Sequence, residues 1–204
     1  MKHHVLITGT GRAGTSFLVQ LLSNLGLDTG YTPGEFPLDP IAHAGLEADP
    51  RDPAAPYICK NPWICDTVEE VLTDSALHID HVFIPVRNIE AAAASRVHVQ
   101  KANTGSEDRL QPVAGGLWHV EKGADQAALL RRQFTRLVEQ LVRFDIGMTF
   151  IWYPRLTEDP DYLRAKLAEG LDMPDQALFR EVFARTVRPE WVHRFGAEDS
   201  TGAR

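Results

Sequence analysis

The residues best suited to chemistry come early in the chain. Gly9-Thr10-Gly11-Arg12-Ala13-Gly14-Thr15-Ser16 follows a short apolar run and precedes an amphipathic segment. Gly9 and Gly14 enclose four residues and are followed by two hydroxyl side chains, the outline of a phosphate-binding loop. Glycines let successive backbone N–H groups turn toward one point, and the following helix adds its positive N-terminal end. An anion held at that point is the expectation. A kinase loop carries lysine directly after its second glycine, to reach the outer phosphates of a triphosphate. This chain has Thr15 there. The run His81–Arg87 also ends in a base, not in the aspartate that holds magnesium. Both departures speak against ATP or GTP hydrolysis.

Other reactive types are scattered. His43, His98 and His119 are candidate bases by residue type, with His98 three residues after Ser95 on nearly the same helix face. Cys59 and Cys65 lack a histidine or further cysteine at zinc-ligand spacing, so they read as packing thiols in a reducing compartment. No metal is expected. Trp63 and Trp118 read first as core aromatics, and second as platforms for an adenine or a sugar.

Positioning these groups falls to alternating apolar runs and helical segments, the pattern of βα units around a parallel sheet. Strands are expected at Val5–Thr8, Tyr57–Lys60, Val82–Val86 and Thr149–Tyr153. A first helix over Thr15–Leu25 places Phe17, Leu18, Leu21, Leu22 and Leu25 on one face, with Gly26 to stop it. Asp66 with Glu69 suggests a capping box for a helix to Leu72, and Asn88 caps an alanine-rich helix to about Lys101. The longest helix, Ala124–Phe144, carries the stripe Leu130, Phe134, Leu137, Leu141, Phe144. Helices at about 161–171 and 175–186 follow. Prolines at 33, 37, 40, 50, 53 and 56 break residues 27–56 into a long loop, and 103–123 reads as a polar, mobile one. The fold class is α/β: a P-loop three-layer fold, its central, mainly parallel sheet flanked by helices, as one domain over 1–204.

Composition narrows the partners. The chain has 204 residues, 44% hydrophobic and 24% charged, with a net charge of −7, so no global basic surface advertises nucleic acid. No run approaches a membrane span, and a cytoplasmic location is expected.

Arg12-Ala13-Gly14-Thr15-Ser16, with Arg87 closing a strand and Ser95 eight residues later on the next helix, resembles the P-loop sulfotransferases. These move a sulfuryl group from 3′-phosphoadenosine-5′-phosphosulfate (PAPS) and release 3′-phosphoadenosine-5′-phosphate (PAP). The resemblance runs from residue 5 to about 172, with Gly11 and Ile89 standing where prolines are usual. It implies a donor site of Gly11, Arg12, Ala13, Gly14, Thr15 and Ser16 around the 5′ end, with Arg87 and Ser95 on the 3′-phosphate. Guanidinium binds phosphate bidentately, which suits that task. Cys59-Lys60-Asn61-Pro62 is similar to the Lys-Ser/Thr-Pro segment of carbohydrate sulfotransferases, which places Lys60 near the transferred sulfate beside Arg12. Thr32-Pro33-Gly34-Glu35-Phe36 is similar to a Pro-x-Glu-Phe segment of bacterial trehalose-type members, which makes Glu35 the base, partly desolvated by Phe36. The acceptor implied is a hydroxyl of a small molecule or carbohydrate, with 27–56 and 103–123 as acceptor-site loops. No segment matches the C-terminal Arg-Lys-Gly of the cytosolic branch. An atypical phosphoryl-transfer kinase and a nucleotide-binding protein without turnover are the alternatives.

Overall fold

The structure, a computed structural model, describes residues 1–195, so the end of the expected 1–204 unit lies outside the described residues. Strands β1 (Lys2–Ile7), β2 (Ile58–Lys60), β3 (Leu77–Val86) and β4 (Met148–Trp152) form one sheet in the order β2-β1-β3-β4. Every neighbouring pair is parallel. The helices are α1 (Thr15–Asn24), α2 (Ile64–Thr73), α3 (Ile89–Thr104), α4 (Gln126–Arg143), α5 (Pro160–Leu167) and α6 (Gln176–Thr186).

Side-chain alternation along the strands sorts the helices into two layers. Val5 and Ile7 of β1 and Phe83 of β3 share one apolar cluster with Leu18 and Leu21 of α1, Leu163 and Leu167 of α5, and Phe179 of α6. Leu6, Val82 and Ile84 point the other way, into a cluster with Val68 of α2, Ala92 of α3 and Leu130 and Leu137 of α4. The protein is therefore α/β, with a parallel sheet between helical layers.

Local rules hold where no tertiary partner competes. Asn88 Oδ1 accepts from Ala91 N–H at 3.0 Å and caps α3, and Gly26 takes a left-handed φ of 83° just past α1. The expected Asp66–Glu69 box does not form: α2 begins earlier, at Ile64, with Trp63 as its uncapped start. Asp66 instead accepts from Gln133 Nε2 of α4 at 2.8 Å and faces His119 Nε2 at 3.3 Å. β3 starts at Leu77, earlier than its apolar core suggests, because His78, Asp80 and His81 interrupt the apolar pattern there. Nor is the 103–123 stretch a loose loop. α3 runs on to Thr104, Leu117 and Trp118 are buried, and Trp118 N–H donates to Gln126 Oε1 at 2.7 Å.

The connections place a crevice at one end of the sheet. β1 leads through α1 to β2 on one side, while β3 leads through the opposite helical layer to β4 on the other. The chain order thus reverses between β1 and β3, and their carboxyl ends open a crevice at the switch point.

Candidate functional site

Two loops enter that crevice: residues 8–14 after β1, and Arg87 after β3. Gly9, Gly11, Arg12 and Gly14 have φ of 136°, 68°, 56° and 85°, which curls the first loop tightly. Side chains are excluded where it matters. A Cβ on Gly14 would lie 2.9 Å from Leu156 Cδ1, and one on Gly11 would lie 2.6 Å from Arg96 Nη2. Gly14 is also the N-cap of α1, with no side-chain cap and no acidic residue in the first turn. The first N–H groups of α1 are left for an external acceptor.

Around this loop one cavity gathers Arg12, Lys60, Arg87 and Arg96 with Thr15, Ser16 and Ser95. Arg87 is 3% exposed, donates from Nη1 to the Arg12 carbonyl at 3.0 Å, and lies 4.6 Å from the centre of the Tyr153 ring. Arg12 Nε donates to Ser95 Oγ at 3.1 Å and Nη1 to the Ala42 carbonyl at 2.7 Å. Arg96 donates to the carbonyls of Gly116 and Thr10 at 2.9 and 2.8 Å, and stacks over Trp118. Its buried Nε has no hydrogen-bond partner among the described residues. Lys60, 3% exposed, donates to the Gly45 carbonyl at 2.9 Å and to Glu47 Oε1 at 2.5 Å.

The electrostatic balance is one-sided. Within the described residues, Arg12 and Arg96 hydrogen-bond to carbonyl and hydroxyl acceptors and to no carboxylate, and Asp39 acts on Arg12 only through its charge. Burial, and then the charge of Arg87, brings the Arg12 pKa down to about 10. Burial, and then Arg12, brings Arg96 down to about 9. Guanidinium keeps its proton at neutral pH, so these shifts register the cost of crowding cations away from water. Burial also lowers Lys60, opposed by Glu47. Unpaired buried charge is expensive, and an anion in the cavity relieves it.

Of the residues singled out in the sequence, Gly11, Arg12, Gly14, Thr15, Ser16, Arg87, Ser95 and Lys60 line the same cavity, and buried Ala13 lies within the loop. Glu35 does not join them. It is exposed and outside the lining, and the partly buried Phe36 packs on the core instead of shielding it. His43 lines the cavity and stacks on Trp191 with ring centres 4.3 Å apart. His98 is exposed, 6.1 Å from the His193 ring. His119 borders a second cavity of about 660 Å³ with Asn61, Asp66, Arg109 and Trp63, and Trp63 lines both cavities.

Three features went unread in the sequence. Arg96 carried a signal: the steps Ala92–Arg96–Val99 place it on the buried stripe of α3. Glu47 carried none, because a proline-broken loop has no period to read. The third is the segment after α6, where the His193 carbonyl accepts from Arg87 Nη2 at 2.6 Å and Trp191 covers His43.

Cys59 and Cys65 are free and buried, and burial pushes both thiols up to about 12, far from a reactive thiolate. Among the described residues no helix is long and apolar enough to cross a membrane. No protein-family model, curated protein or solved structure matches this chain.

Proposed function

We propose that the crevice binds an adenosine bisphosphate at both anionic ends and that the protein transfers a sulfuryl group from PAPS to a hydroxyl of a small molecule or carbohydrate. The observation that carries this reading is the convergence of the residue 8–14 loop, Arg87, Arg12, Arg96 and Lys60 on one cavity. The α1 amides and Lys60 suit the end bearing the sulfate, and Arg87 the 3′-phosphate. Phosphoryl transfer is the weaker reading, since Thr15 stands where the loop lysine belongs and β3 delivers Arg87 where magnesium needs a carboxylate.

The chemistry follows in balanced form. The acceptor oxygen attacks sulfur, the bond from sulfur to the 5′-phosphate oxygen breaks, and PAP leaves with that electron pair. Lys60 and Arg12 neutralise the charge growing on the bridging oxygen. The acceptor proton goes to Glu47, the carboxylate paired with Lys60 in this cavity. As Lys60 turns to the sulfate, Glu47 is released to act as base. Glu35 is set aside because it stands exposed, outside the cavity lining. The second cavity, which shares Trp63 with the first as a lining residue, is of a size for a small acceptor.

Titration calorimetry with PAP and with adenosine-5′-phosphate tests the assignment. Arg87→Ala should weaken PAP about 10- to 100-fold, the range for a charge-assisted contact, and leave adenosine-5′-phosphate nearly unchanged. Equal losses for the two ligands remove Arg87 from the 3′-phosphate.

A further inference from the structure

At the opposite end of the sheet, three side chains far apart in sequence meet. His3 of β1 and His78 of β3 are direct partners in the parallel ladder. Their rings lie 4.7 Å apart. The register then slips: His4 pairs with Ile79 and Val5 with His81, so Asp80 is the extra residue of β3. A bulge of this kind re-aims its side chain. Here it brings Asp80 Oδ1 to 2.7 Å from His3 Nδ1 and 3.5 Å from His78 Nε2. One ligand atom from each residue lies within 4.8 Å of the others.

We infer that His3, His78 and Asp80 form a binding site for a divalent transition-metal ion of the zinc class. Two imidazoles and a carboxylate are the borderline N/O set that zinc, cobalt and nickel prefer to magnesium or calcium. With metal–ligand bonds of 2.0–2.2 Å, tetrahedral ligand atoms stand about 3.3 Å apart. The two Asp80 separations bracket that value, and the third pair, within 4.8 Å, belongs to two exposed rings. The carboxylate is also oriented from behind, as Tyr57 Oη donates to Asp80 Oδ2 at 3.0 Å. Such outer partners fix a ligand's direction and tune its affinity. Three protein ligands leave a coordination position for water or an exogenous group. The ion would tie the amino ends of two interior strands, about 16 Å along β1 from the phosphate loop at 3.3 Å per residue. The inference is independent of the proposed donor site.

The test titrates the purified full chain with Co²⁺, read by visible absorption, and with Zn²⁺, read by calorimetry. One ion per chain is expected, with binding lost in His78→Ala and in Asp80→Ala, retained in His98→Ala, and weakened about tenfold in Tyr57→Phe. Zinc should raise the melting temperature of the parent and not of His78→Ala. PAP binding of His78→Ala should equal that of the parent, which separates this site from the donor site. Absence of binding at millimolar ion, or binding that survives both His78→Ala and Asp80→Ala, overturns the inference.

Discussion

Lys60 and Glu47 set the behaviour of the site at the scale of residues. Burial holds the Lys60 pKa below its ordinary lysine value, so the unfolded chain binds more protons than the folded one between those two values. Stability of the ligand-free protein should therefore rise with pH across that window. Anion binding needs the ammonium and should fall across the same window. Melting and PAP titrations from neutral to alkaline pH check both signs, and Lys60→Met should flatten both slopes. Glu47 has a separate signature. Glu47→Gln should lower the transfer rate by about 10²- to 10⁴-fold with little change in PAP affinity, whereas Glu35→Gln should leave the rate unchanged. A rate loss confined to Glu35→Gln would return the base to the position first expected from the sequence. The residue 8–14 loop and Arg87 were legible in the sequence because loop glycines and a strand-end arginine have local signatures, whereas Arg96, on the buried stripe of α3, went unread. The carboxylate of the site was hidden because Glu47 is brought to Lys60 by an irregular loop, through contacts with no sequence period.

Elements hold these residues by close approach, and two of them invite tests. Gly14 combines a left-handed φ of 85° with a Leu156 methyl 2.9 Å from the place of a Cβ. Gly14→Ala should cost about 1–3 kcal/mol of stability, read in denaturant, and should weaken anion binding as the loop shifts. The segment after α6 bears on access. Its His193 carbonyl accepts from Arg87 Nη2, the group proposed for the 3′-phosphate, and Trp191 of the same segment stacks on His43. Removing the stack with Trp191→Ala, an interaction of about 0.5–1.5 kcal/mol, should speed PAP association about two- to tenfold in stopped flow. An unchanged rate would mean the segment is no barrier. Sequence patterns gave the helices and central strands, since apolar stripes reveal a buried face. They missed the amino half of β3 and the start of α2, where polar residues serve partners on other elements: Asp66 bonds Gln133, and Asp80 meets His3.

For the whole molecule, the parallel sheet between two helical layers creates a single reversal of chain order, between β1 and β3. The residue 8–14 loop and Arg87 lie at its two sides because each follows one of those strands. A net charge of −7 coexists with a cavity rich in cations, so the proposed anion binding would rest on local geometry and not on the overall field. That placement predicts ligand choice. A thermal-shift comparison of PAP, adenosine-5′-phosphate, ATP with magnesium, and GTP at equal concentration is the most direct measurement. The largest rise in melting temperature should come with PAP, above adenosine-5′-phosphate and in the absence of magnesium. A larger rise with magnesium-ATP or GTP, or equal rises with PAP and adenosine-5′-phosphate, would contradict a cavity built to grip a nucleotide at its 3′ and 5′ ends.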